Sequence, residues 1–261
     1  MKKRALFLFI LLLIITGLYW YFQPQNTYGP GPLWGNRKAT SSILTKEGVF
    51  AWTNTQRIQN SEESSLYLNE DLSKIAEMRV DDMFAKQYFE HVSPTGESAS
   101  SVAEDTQYEY IAIGENIALG NFENDEVLVQ AWMDSPGHRE NILNHRYTEI
   151  GVAMKKGKYE EDEVWIAVQI FGRPLSDCSE PSTFSKNKIE ENQILIEKLK
   201  KQAESQRVAI ELLKHNASDY NTKVDEYNLV VKKVNDLVVE IKELIVQYNK
   251  QVKIFNECLL K

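Results

Sequence analysis

From Ser185 to Lys261 the chain contains neither glycine nor proline, and its apolar residues recur on a heptad. One seam runs Ile189, Ile196, Ala203, Ile210 and on to Leu259. The other passes through Leu199, Leu213, Tyr220, Val234, Ile241 and Phe255. An apolar repeat of this period, kept over so many turns, leaves little room for anything but coiled-coil helices over 185–261. Two arrangements fit it. "HNASDYN" (His215 to Asn221) holds an Asn able to end one helix and a Ser-Asp pair able to start another. Cys178 and Cys258 each lie 40 residues from position 218, so folding back there brings the thiols together and sets Ile196 against Ile241. In a straight rod Cys258 would stand on the order of 100 Å away. The heptad phase nevertheless runs unbroken through the turn, as it would in one continuous helix. The stapled hairpin is the favoured reading.

The opposite end of the chain bears on the disulfide. "MKKRALFLFILLLIITGLYWYF" places three cations before an apolar run, residues 5–22, that ends in aromatic residues. As a helix that run spans about 27 Å, one hydrocarbon thickness, with its cations on the cytoplasmic side and its aromatics at the far interface. No small-x-small cleavage site follows, so 1–22 reads as an uncleaved signal-anchor, with secretion after cleavage as the alternative. The bulk of the chain is then extracytoplasmic at the cell membrane, where two cysteines favour a structural disulfide. Residues 23–42, rich in Pro, Gly, Asn and Ser, read as a spacer.

The formal net charge is −8, or −11 once Lys2, Lys3 and Arg4 are set aside with the anchor. Nucleic acid rewards clustered Lys and Arg with counterion release, so it is excluded as a partner. Between the spacer and the heptads, residues 43–176 carry mixed signals. Asn69 and Asn124 each precede two acids and an apolar helical stripe, the pattern of capped helix starts. Ile150, Val152 and Met154 alternate as a strand, and "VWIAVQIF" (Val164 to Phe171) is apolar on both faces, as in a sheet covered twice. The charged stretch "KKGKYEEDE" between them reads as a hairpin loop. An α+β fold follows, an α-β-α sandwich around a small antiparallel sheet.

Several stretches in this region carry chemistry. In "AWMDSPGHRENIL", Ser135 suits an N-cap and Pro136 the first helical position, so His138 stands near a helix N-terminus. Partial positive charge there disfavours imidazolium and leaves a neutral ring, fit to be ligand or base. "YFEHVSPTGES" sets His91 before another Ser-Pro turn, and "YIAIGENIALG" sets Glu115 after a strand-like run. Serine-hydrolase, P-loop, H-E-x-x-H and paired C-x-x-C signatures are absent, and both cysteines lie outside the region with the histidines.

"TNTQR", "HVSP", "GENIA", "AWMDSPGHRENIL" and "YTEIGVAM", in that order over about Leu44 to Pro174, resemble the CAP superfamily of cysteine-rich secretory, antigen 5 and pathogenesis-related 1 proteins, and its bacterial SCP-like branch most. The resemblance implies an α-β-α sandwich whose groove is lined by His91, Glu115 and His138. It also implies that His91 and His138 could hold zinc, with Glu115 as a further ligand. The second acid of animal and plant members has no counterpart here, because "WMDSPGH" runs straight from tryptophan to histidine; Asp134 and Glu140 are the substitutes on offer. Three functions remain open. The groove could bind cell-envelope material such as a glycan, lipid or peptide. A zinc-dependent hydrolase could act on extracellular peptide or cell-wall material. The coiled coil could serve as an envelope scaffold, through a protein partner or self-association.

Overall fold

The computed structural model describes residues 30–38, 43–60, 64–213 and 218–260. The 5–22 run and His215 lie outside the described residues; among those described, no helix is long and apolar enough to cross a membrane. The chain divides into two compact units that meet in sequence at Pro174 and Leu175.

Among the described residues the first unit holds five helices: α1 (Lys46–Asn60), α2 (Glu70–Lys86), α3 (Ala99–Asp105), α4 (Asp125–Asp134) and α5 (Pro136–Leu143). Between them run β1 (Leu33–Trp34), β2 (Tyr67–Leu68), β3 (Tyr110–Gly120), β4 (Glu149–Tyr159) and β5 (Asp162–Pro174). Both expected caps are made. The Asn69 side chain accepts from the Leu72 amide and that of Asn124 from the Val127 amide, each satisfying a donor the helix cannot.

The strands form one sheet in the order β1-β3-β5-β4-β2. Its centre is antiparallel, but the two-residue edge strands β1 and β2 pair parallel to β3 and β4, so the sheet is mixed and not purely antiparallel as expected. Alternation along β5 explains the run apolar on both faces. Val164, Ile166, Val168 and Ile170 join the core under α2 and α3, while Ala167 and Phe171 join the core under α1, α4 and α5.

Two expectations need correction. The charged "KKGKYEEDE" stretch is mostly strand: β4 and β5 pair from Glu149↔Gly172 to Tyr159↔Asp162, leaving only Glu160 and Glu161 to turn. Its outward charges are the solvent positions of a pleat whose inward Tyr159 is buried. Nor is 23–42 merely a spacer. Leu33 and Trp34 pair with Ala118 and Leu119, and Asn36 bridges to Asn121, because β3 offers an open edge there.

Among the described residues the second unit holds a 3-10 turn (Leu175–Asp177) and two long helices, α6 (Thr183–Glu211) and α7 (Tyr220–Leu260), packed against each other. A disulfide joins Cys178 to Cys258 with their Cα atoms 5.7 Å apart. Ile196 and Ile241, opposed in the hairpin reading, are both buried.

Candidate functional site

Sequence places Arg79 on the apolar stripe of α2, in line with Leu72, Ile75, Ala76 and Met83. That is the wrong side of the helix for a charge, and the charge is 99% buried there. Every arm of its guanidinium is nevertheless bonded. Nε donates to Glu115 Oε1 at 2.9 Å, Nη1 to the Tyr88 hydroxyl at 2.8 Å, and Nη2 to the carbonyls of Glu90 and His91, each at 3.0 Å. The Tyr88 hydroxyl in turn donates to Asp82 at 2.7 Å. Arg79 thereby fixes both the carboxylate of the site and the loop that carries the first histidine.

Glu115 lies on β3, and its other oxygen, Oε2, receives His91 Nδ1 at 2.9 Å. Both carboxylate oxygens are thus committed. Burial alone would push its pKa up, but Arg79 and His91 outweigh burial and hold it below the ordinary carboxylate range, so Glu115 is an anion. The second ring nitrogen of His91, Nε2, faces the carbonyl of Pro30. Both neighbours of this ring are hydrogen-bond acceptors.

His138 occupies the first turn of α5 and is buried, not at the surface. Ser135 holds the N-cap position but makes no cap bond; its Oγ lies 2.8 Å from His138 Nδ1 instead. His138 Nε2 is buried without a hydrogen-bond partner. Burial first, and the charge of His91 second, push its pKa down to about 4. The neutrality expected from the helix end is found, with desolvation as its main cause.

A polar chain across the other face of the sheet holds this arrangement. Asn141 Nδ2 donates to the Glu115 carbonyl and to Asn116 Oδ1, and Asn116 Nδ2 donates to the His138 carbonyl and to Gln169 Oε1. Gln169 Nε2 ends the chain on Thr53 Oγ1 at 2.7 Å. Gly114 is required beside it, since a Cβ there would collide with the Tyr147 hydroxyl.

His91, Glu115 and His138 are therefore brought together, and Arg79, Asn141 and Pro30 join them. Sequence alone leaves Asn141 between structure and groove rim and does not single out Arg79, whose place on an apolar stripe is the available signal. Asp134 and Glu140 are exposed and supply no second acid; Asp134 accepts from Gln130 instead. His145 is exposed, and Trp132 is fully buried core.

The donor set can be tested against zinc. His91 is oriented by a carboxylate, as metal-bound histidines are, and His138 Nε2 is an unused nitrogen. Each Glu115 oxygen, however, already accepts a hydrogen bond, one from Arg79 and one from His91, which turns the carboxylate toward those partners. Among the described residues no group of three or more His, Cys, Asp or Glu could hold a metal. Two nitrogens fall short of the three protein ligands usual for catalytic zinc, so the set does not fit.

Comparison with known proteins agrees with the motif reading. Residues 50–171 match the family described as CAP, the cysteine-rich secretory protein family. The Bacillus subtilis protein YkwD is 39% identical over 147 residues, which are 54% of this chain and 55% of that protein. The Bacillus subtilis membrane protein YlbC is 30% identical over 118 residues, 45% of this chain and 34% of that one. The chain thus spans about half the length of the first relative and a third of the second. Among solved structures, an extracellular SCP-domain protein of Bacillus anthracis is 28% identical with a TM-score of 0.42, covering 49% of this chain and 40% of that one. An outer surface protein of Borrelia burgdorferi is 21% identical with a TM-score of 0.44, covering 51% of this chain and 96% of that one.

Proposed function

We propose that residues 50–171, which match the CAP family, form an extracytoplasmic binding module whose groove at His91, Glu115 and His138 takes cell-envelope material. One observation carries the reading. Glu115, the sole acid of the site, is committed to Arg79 and His91, which leaves no free carboxylate to act as general base. What the groove does offer is hydrogen bonding from a rigid frame. His138 Nε2 stands buried and unpartnered, at a cost of about 1–3 kcal/mol unless a ligand meets it. Few polar groups held on a fixed scaffold are what a binding pocket needs.

The setting is part of the proposal. Residues 5–22 anchor the chain in the membrane with the bulk outside the cytoplasm. The Cys178–Cys258 disulfide supports an oxidising compartment, and the relative YlbC is named as a membrane protein. The helical pair serves as a coiled-coil element that docks a partner or sets the domain's position.

The test uses the full chain in detergent, sedimented with isolated envelope fragments. Retention should be saturable and should drop to background in His138→Ala, with no soluble fragments released from the envelopes. Release of fragments that stops in Glu115→Gln would instead make the domain a hydrolase.

A further inference from the structure

The element that lies across the groove is the chain's own segment 30–34. β1 runs parallel to β3 with Leu33 opposite Ala118, and the same register carried back three residues brings Pro30 alongside Glu115. There the Pro30 carbonyl meets His91 Nε2. On the far side Gly137 makes room for the proline ring. A Cβ at position 137 would lie 2.6 Å from Pro30 Cβ and 3.2 Å from its Cα. The site at His91 therefore already meets a proline segment of the chain itself, whose next residues, Leu33 and Trp34, are added to the sheet edge.

That segment is held mainly beyond Pro30. Leu33 and Trp34 pair in the ladder, the Gly35 amide donates to the Leu119 carbonyl at 2.7 Å, and Asn36 bridges to Asn121. Trp34, 52% exposed, meets Phe89 and Tyr159 edge-on and lies under Arg37, which pairs with Glu160 and Asp162. The fit is incomplete, because His138 Nε2 stays unpartnered with Pro30 in place. A peptide that kept the proline and brought a polar group to His138 would make one bond more than the strap does.

We infer that the groove's ligand is an extended, proline-containing peptide laid along β3, and that residues 30–34 act as a built-in competitor for it. The inference rests on the binding reading above and names its ligand class. Being tethered, the strap competes at a high effective concentration whatever the ligand supply.

The probe is a labelled synthetic peptide of residues 28–37, offered to the full chain in detergent. Trp34→Ala loosens the strap without touching the groove, so it should bind the peptide about 10-fold or more tightly than the unaltered chain. Adding His91→Ala should remove that binding, and replacing the peptide's prolines with alanine should abolish it. In the unaltered chain, saturating peptide should speed amide exchange at Leu33 to Asn36 as the strap is displaced, a readout independent of how well Trp34→Ala folds. Equal binding by both proteins with no change in exchange makes the strap a fixed strand and overturns the inference. Equal affinity for the alanine peptide overturns the ligand class. If either occurs while His138→Ala still loses envelope retention, the binding reading stands; retention unmoved by His138→Ala overturns that reading itself.

Discussion

Residues 43–174 and the helical pair keep apolar side chains from water by unequal means. In the first unit two clusters, one on each face of the sheet, exclude water fully from Leu72, Met83, Trp132 and Phe171. In the second, Ile196, Leu199 and Ile241 are buried, whereas Ile194, Leu229 and Val246 are each about 70% exposed. A sheet covered twice has an interior; two helices side by side have only a seam. The first unit can therefore tolerate a buried Arg79–Glu115 pair and an unsatisfied histidine. The second closes its ends with a covalent bond.

The two can be watched separately, since all five tryptophans precede residue 175 while the longest helices follow it. The largest expected effect is on the helical pair. The disulfide closes a loop across a sequence separation of 80, worth about 4.5 kcal/mol in chain entropy. Reduction should lower the helical transition followed by circular dichroism and leave the tryptophan transition in place; if both shift equally, the units are not independent in stability. Next is Arg79→Met, which strands Glu115 as a buried anion. It should cost about 4 kcal/mol in the tryptophan transition only.

A third effect depends on pH. The folded-state pKa of His138 is pushed down to about 4 from an ordinary 6.5, so the unfolded chain binds the extra proton first as pH falls. The stability this residue supports is whole above about pH 6.5 and is lost progressively toward pH 4, on the order of 3 kcal/mol in all. Urea titrations of the tryptophan signal should show that slope, and His138→Gln should flatten it. The smallest effect is at a cap. Asn124→Ala should cost about 1 kcal/mol, again in the first unit alone.

Much of the fold was legible because its signals are local. Asn69 and Asn124 announce helix starts within a few residues, and the alternation of "VWIAVQIF" gives two covered faces without knowledge of what covers them. The cysteine spacing about residue 218 announced the disulfide in the same way. His91, Glu115 and His138 stood out as candidates because their motifs stand in order. What stayed hidden is long-range pairing. Nothing near Pro30 says that it meets His91, and nothing near Gln169 says that it bonds to Thr53. The turn at Glu160 was hidden for another reason: exposed strand positions and loop positions carry the same charged residues. Arg79 was the one missed residue with a local mark, a charge on an apolar stripe.

The central claim is that the groove binds a ligand and does not run metal chemistry, because Glu115 is committed and His138 Nε2 is the one unengaged ring nitrogen of the two histidines. Calorimetric zinc titration of the full chain at neutral pH, beside His91→Ala and His138→Ala, tests it most directly. The account predicts no one-to-one binding tighter than about 1 μM and no difference among the three proteins. Tight one-to-one binding that either substitution abolishes would contradict it, and would make His138 Nε2 a zinc ligand.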